Sequence, residues 1–270
     1  MKYLRIGVSL LCVLVLGVFA VVYIKEQKKD TTYPVITIED EIIDVSLKMT
    51  EEELFKGVTA YDEKDGDISD KLIVESISKF IEDGVSIVTY SVCDNDKHAT
   101  SATRKIRFTD YTDPVFVINQ SLVFGLGEDV NLASYVGAYD CIDGDISDRV
   151  IITATDYNTN EEGVFKVSLK ASNSMGDSIY MEVPVYIEDR SYSAPDIKLS
   201  DYIVYTKVGE EVDLTKYILS AIDEEDQQGM TVLIDSNYKP DVPGTYQAHY
   251  ETTDANGKEG HAVLTIIVEE

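Results

Sequence analysis

The stretch Asp62-Glu-Lys-Asp65-Gly66-Asp67-Ile68-Ser69-Asp70 returns as Asp140-Cys-Ile-Asp143-Gly144-Asp145-Ile146-Ser147-Asp148. A fixed internal period confines a chain to repeated units that each close a small core, so it has to be read before any local motif. Other landmarks keep the same register. Units open at Pro34, Pro114 and Pro195, in steps of 80 and 81 residues, each followed by an apolar run. A late glycine follows at Gly84, Gly163 and Gly244, and ten residues on stands Asp94, Asn173 or Asp254. The third acidic turn is degraded, keeping only Asp223 and Asp226. The chain therefore divides into an N-terminal segment 1–30 and three units, 31–112, 113–192 and 193–270. About 80 residues is enough for a small domain with its own modest core.

The segment after each late glycine alternates. Ser86, Val88, Tyr90 and Val92 form one set, Phe165, Val167, Leu169 and Ala171 the second, and Tyr246, Ala248, Tyr250 and Thr252 the third. Period-two alternation marks a strand with one face on a core. Short β-branched runs at 72–77, 106–108, 150–154, 179–187, 203–207 and 262–268 add further strands. Several strands per unit with Gly, Pro and Asp punctuation predict an all-β chain of β-sandwiches. Tyr90 and Tyr250 are expected to point inward, and Ile68 and Ile146 to plug the core. Helix is confined to single turns at Thr50-Glu-Glu-Glu53, where the spacing suggests a capping box, and at 132–136 and 214–218.

The opening Pro, the turn in Ala60–Asp70 and Ala138–Asp148, the strand start Gly244-Thr-Tyr246, and Thr253-Asp254-Ala-Asn256-Gly257 together carry a family resemblance. Each unit resembles the bacterial immunoglobulin-like domain of the Cry22Aa pesticidal crystal protein type, a family of unknown function. The likeness covers 33–270. It implies three tandem immunoglobulin-like sandwiches and a cell-surface location. It implies no activity, because such domains serve as spacers and adhesive modules in unrelated proteins.

Residues 6–24 carry no charge, with Lys2 and Arg5 before them and Lys25, Lys28 and Lys29 after. At about 1.5 Å per residue this nearly matches a bilayer core of roughly 30 Å. Two readings are open: an uncleaved signal anchor, that is, one transmembrane helix contacting the membrane through 6–24, or a signal peptide cleaved after the small residue Ala20. The apolar run continues past Ala20, which favours the anchor. The expected location is the bacterial cell membrane with the repeats outside, and a secreted form is the alternative. Cys93 and Cys141 lie in different units, so there is no disulfide framework. After residue 30 the chain holds 18 basic and 48 acidic residues, a net of −30. Such a field disfavours nucleic acid and anionic lipid and favours solubility and divalent cations.

Asp62, Asp65, Asp67 and Asp70, and their echoes Asp140, Asp143, Asp145 and Asp148, are the candidate metal ligands. Closely spaced aspartates with a glycine can supply several of the six to eight oxygens that calcium takes. The competing reading is turn-making, since an Asp side chain bonds backbone amides two residues on. Carboxylates at Asp110, Asp113, Glu188 and Asp189 fall at unit junctions, a second place for an ion. His98, His249 and His261 have no metal-ligand spacing and read as lone surface residues. No nucleophile elbow, phosphate loop or catalytic constellation is present, and an enzyme using paired carboxylates is disfavoured because the carboxylates repeat. No cofactor other than calcium is indicated. With 18 Tyr and no Trp, the expected function is a non-enzymatic surface stalk for spacing, adhesion or ligand binding. Its partner would be a cell-wall glycan, a host glycan or a protein, and the alternative is a secreted carbohydrate- or cell-wall-binding module.

Overall fold

The computed structural model describes residues 2–27, 31–190, 194–222 and 229–270; within the N-terminal helix, side chains are described at Gly7 and at 11–23. The chain forms two compact units, Met1–Asp110 and Tyr111–Glu270.

In the first unit, α1 (Lys2–Gln27) precedes β1 (Val35–Ile38), β2 (Ile42–Val45), β3 (Val58–Asp62), β4 (Gly66–Asp67), β5 (Ile73–Ile77), β6 (Val85–Cys93) and β7 (Ala99–Phe108). One sheet runs β1-β3-β4 and the other β2-β7-β6-β5. The core lies between them, built from Val58 and Ala60 of one sheet and Val88, Tyr90, Val92 and Ile106 of the other. Alternation along β6 puts Ser86, Val88, Tyr90 and Val92 inside, as the period-two pattern predicts.

The second unit holds two further sandwiches. The first comprises β8 (Val115–Ile118), β9 (Val123–Gly125), β10 (Val136–Asp140), β11 (Gly144–Asp145), β12 (Ile151–Thr155), β13 (Gly163–Ser172) and β14 (Ser178–Glu188), in sheets β11-β10-β8 and β12-β13-β14-β9. The second comprises β15 (Asp196–Leu199), β16 (Ile203–Lys207), β17 (Ile218–Ile222), β18 (Leu233–Ser236), β19 (Gly244–Thr253) and β20 (Glu259–Glu269), in sheets β15-β17 and β16-β20-β19-β18. Each has its own core cluster. In all three sandwiches the early strand β2, β9 or β16 pairs in parallel with the closing strand β7, β14 or β20. The second and third sandwiches are joined into one unit by real packing. Tyr202 and Ile203 rest on the second core, and the Tyr205 hydroxyl accepts from Phe116 N at 3.0 Å and donates to Phe116 O at 3.1 Å.

Ile68 and Ile146 are buried, and Tyr90 and Tyr250 are fully so. Tyr90 donates to Leu54 O at 2.5 Å and Tyr250 to Leu214 O at 2.8 Å. These carbonyls belong to the single helical turns Glu51–Leu54 and Leu214–Tyr217, so each tyrosine ties a bridging turn to the core. Thr50 makes no side-chain cap on its turn, so the capping box suggested by Glu53 does not form.

The transmembrane helix expected at 6–24 is not found: among the described residues no helix is long and apolar enough to cross a membrane. The large apolar side chains described at 11–23 of α1 are exposed, and Phe19 and Tyr23 stack at 6.3 Å between ring centroids. The unit boundary expected between 192 and 193 lies outside the described residues, as do Asp223 and Asp226.

Candidate functional site

The acidic turns are built alike and each aspartate has a separate task. Asp62 and Asp140 close β3 and β10 and are buried. Asp62 Oδ1 accepts from Lys64 N and Asp65 N, both at 2.9 Å. Asp140 Oδ1 accepts from Ile142 N at 2.9 Å and Asp143 N at 2.8 Å. These are the amide bonds that an Asp-initiated turn makes. Asp65 and Asp143 fasten the turn to the neighbouring β6–β7 or β13–β14 hairpin. Asp65 Oδ2 accepts from Asn95 N at 2.8 Å, and Asp143 accepts from Ser174 N at 2.6 Å and Ser174 Oγ at 2.8 Å. Asp67 and Asp145 each take the hydroxyl of the following serine, Ser69 or Ser147, at 2.6 Å, and its amide. Those hydrogen bonds, side chain first, hold both carboxyls below the usual carboxylate range. Burial pushes Asp143 upward, but the bonds from Ser174 and Arg149 outweigh it and lower its pKa too. Asp70 and Asp148 are exposed. Among the described residues, neither turn gathers three carboxylate oxygens within 4.8 Å of one another.

In the second sandwich the residue ten after the late glycine sits behind this turn. Asn173 Nδ2 donates to Asp140 Oδ2 at 3.2 Å, and Asn173 Oδ1 accepts from Asp177 N at 2.9 Å. In the first sandwich Asp94 takes the place of that amide. It accepts from His98 N and pairs with His98 Nδ1, both at 2.7 Å, and Asp62 Oδ2 has no hydrogen-bond partner among the described residues. His98 is thus a partner of the turn assembly and not a lone surface residue. Of the junction carboxylates, Asp110 accepts from Ser46 Oγ at 2.7 Å and Leu47 N at 2.8 Å.

The second unit carries a cleft of about 810 Å³, lined by Glu162, Tyr186, Glu188, Arg190, Glu251 and His261 among others. His261 on its wall meets His249, a pair that the sequence spacing left apart. His249 and His261 stack at 5.2 Å between ring centroids, with His249 Nδ1 3.0 Å from His261 Nε2. Tyr186 presents an edge contact to both rings. His261 Nδ1 lies 2.6 Å from Glu188 Oε1. Burial, then the neighbouring His261, holds His249 below the ordinary imidazole value. The reading of these two as isolated histidines is therefore corrected. The signal was present only as strand register: the hairpin pairs Glu251 with His261, and His249 is two residues from Glu251 on the same face.

Burial also pushes tyrosine hydroxyls up, Tyr205 to about 12. The folded value lies above the ordinary one of about 10, so this contribution to stability is complete below pH 10 and is lost as pH rises from about 10 through about 12. Denaturant melts at stepwise alkaline pH should show the second unit weakening over that window, and Tyr205→Phe should flatten the loss.

No family model matches the chain. It is 28% identical over 136 residues to an uncharacterized 81.3 kDa protein of Acholeplasma phage L2, covering 48% of this chain and 18% of that protein. It is 28% identical over 167 residues to the pesticidal crystal protein Cry22Aa of Bacillus thuringiensis, covering 58% of this chain and 22% of that one. The matched stretches thus take up about a fifth of each curated relative. Solved structures that resemble it include the CBM51-2 and INT domains of Clostridium perfringens ZmpB with GlcNAc, at 19% identity and TM-score 0.24, covering 52% of this chain and 29% of that one. Another is the lipoprotein BT2262 of Bacteroides thetaiotaomicron, at 12% identity and TM-score 0.22, covering 86% and 99%. Likeness at those scores carries no weight for fold or ligand. The sequence matches, at 28% identity, do not establish a specific three-copy immunoglobulin-like family.

Proposed function

We propose that the chain is a non-enzymatic binding protein that works outside a bacterial cell. Its scaffold is three tandem immunoglobulin-like sandwiches over 31–112, 113–192 and 193–270, and its ligand is rich in hydroxyl groups, a glycan of the cell wall or of a host. The cleft of the second unit carries this reading. Its wall is set with carboxylates and with Arg190 and Lys258, groups that accept from and donate to sugar hydroxyls. The basic start and apolar stretch of α1 support export.

Glycan and peptidoglycan pull-down with residues 31–270 tests the proposal. Glu162→Gln with Glu259→Gln, two cleft residues, should weaken retention about tenfold, equivalent to roughly 1.4 kcal/mol. No retention by any glycan, or equal retention by the double variant, would reject it in favour of a plain spacer. In the same reading the acidic turns are fasteners needing no ion. Melting in millimolar calcium should therefore match melting in EDTA, whereas an ion at 100 times its Kd would add about 2.7 kcal/mol.

A further inference from the structure

We propose that His249 and His261 form a binding site for a divalent transition metal, with zinc the best-fitting class. The argument begins with register. On β18, β19 and β20, Asp235 pairs across from His249, and Glu251 pairs across from His261. His249 and Glu251 are two residues apart on one strand, so all four side chains leave the same face of the sheet. Cross-strand partners hold their Cβ atoms about 4.5–5.5 Å apart. Two imidazoles and two carboxylates are therefore gathered within one small patch. Glu188, at the end of β14 in the preceding sandwich, reaches the same patch.

The hydrogen bonds then fix which nitrogens are available. The Glu188 carboxylate only accepts, so His261 Nδ1 carries the hydrogen of the 2.6 Å contact. His261 Nε2 consequently presents its lone pair and accepts from His249 Nδ1–H at 3.0 Å; a metal entering between the two nitrogens takes the place of that hydrogen, which passes to His249 Nε2. A histidine that donates one N–H to a carboxylate and offers the other nitrogen as a lone pair is arranged as metal-ligating histidines are, with the carboxylate orienting the ring and raising its basicity. Zinc–imidazole bonds are about 2.0–2.1 Å, which sets ligand nitrogens of a tetrahedral centre about 3.4 Å apart. The present separation needs only a few tenths of an ångström of ring movement. Among the described residues, no carboxylate oxygen lies within 4.8 Å of both imidazole nitrogens in the present side-chain positions, so the third ligand must come by rotation of the exposed Asp235 or Glu251, and the cleft lined by His261 and Glu251 leaves a position open to solvent or ligand. Imidazole donors suit zinc, copper and nickel, whereas calcium and magnesium take oxygen. The inference does not rest on the glycan reading, although Glu188, Glu251 and His261 also line that cleft.

The test uses the full-length chain purified without a polyhistidine tag and stripped with chelator. Titration with Zn²⁺ should show one equivalent bound, and Co²⁺ should give the visible absorption of a four-coordinate centre, displaced by Zn²⁺ and not by Ca²⁺. His249→Ala and His261→Ala should each abolish the cobalt spectrum, and His98→Ala should leave it intact. Glu188→Gln should keep the spectrum and weaken affinity roughly 10–100-fold, as loss of an orienting carboxylate does. Circular dichroism checks folding, and His249→Gln stands in if His249→Ala does not fold. Absence of binding at millimolar Zn²⁺ would mean that the two rings share only a hydrogen bond, and binding unchanged in the histidine variants would place any metal elsewhere. Either result overturns the proposal.

Discussion

Arg104→Ala should lower the stability of the first unit by about 3 kcal/mol, read as a shift of the urea midpoint. Arg104 is 3% exposed. Its Nε donates to the Tyr90 hydroxyl and Nη1 to Lys56 O, both at 2.8 Å, and Nη2 bonds Leu54 O. The guanidinium also lies 5.4 Å from the Tyr90 ring centroid. Truncation would empty the site, take the Arg104 donor from the part-buried Lys56 carbonyl and leave Leu54 O with the Tyr90 hydroxyl alone. The register of β6–β7 against β13–β14 and β19–β20 places Val183 and Leu264 at the same position. The third sandwich keeps its tyrosine-to-turn bond with leucine there. Arg104→Leu should therefore cost about 1 kcal/mol, since a well-packed apolar residue often replaces a buried charge at little loss. Arg104→Lys should resemble the alanine variant, because a point charge cannot serve three separated acceptors.

Asp140→Ala should destabilise the second unit by about 2–3 kcal/mol, because two turn amides and Asn173 Nδ2 would lose a charged acceptor inside the protein. Asp145→Ala removes an exposed carboxylate bonded to Ser147 and should cost under about 1 kcal/mol. Thermal melts of the pair decide what the repeated motif does. A fastener gives this unequal ranking with or without calcium, whereas an ion cage loses stability at either position only when calcium is present. Asn173→Asp carries the same logic further. It removes the amide donor to Asp140 Oδ2 and should destabilise through that unpaired oxygen, the state in which Asp62 Oδ2 stands in the first sandwich.

Much of this scaffold was legible from residues alone. Alternation after each late glycine gave the inner faces of β6, β13 and β19, and with them the burial of Tyr90, Tyr250 and the plugs Ile68 and Ile146. Those are local signals, set by a period of two and by turn chemistry. Arg104 was missed because a charge within a strand reads as outward-facing unless its acceptors are known, and its two carbonyl acceptors lie 48 and 50 residues away. The histidine pair was missed for a related reason. His249 and His261 are twelve apart, and Glu188 is 73 residues from His261. No spacing rule links them until hairpin register and the docking of one sandwich on the next are both known. For the N-terminal stretch, composition suggested a span over 6–24, and among the described residues no helix is long and apolar enough to cross a membrane.

The parallel pairing of each early strand with its closing strand bears on how the chain would respond to force. Chain ends pulled apart load such a pair lengthwise, so its hydrogen bonds must break together instead of unzipping singly. The pairs number four in β2–β7, three in β9–β14 and five in β16–β20. Under tension the three sandwiches would therefore yield in sequence, the middle one first and the last one last, making the chain a graded shock absorber.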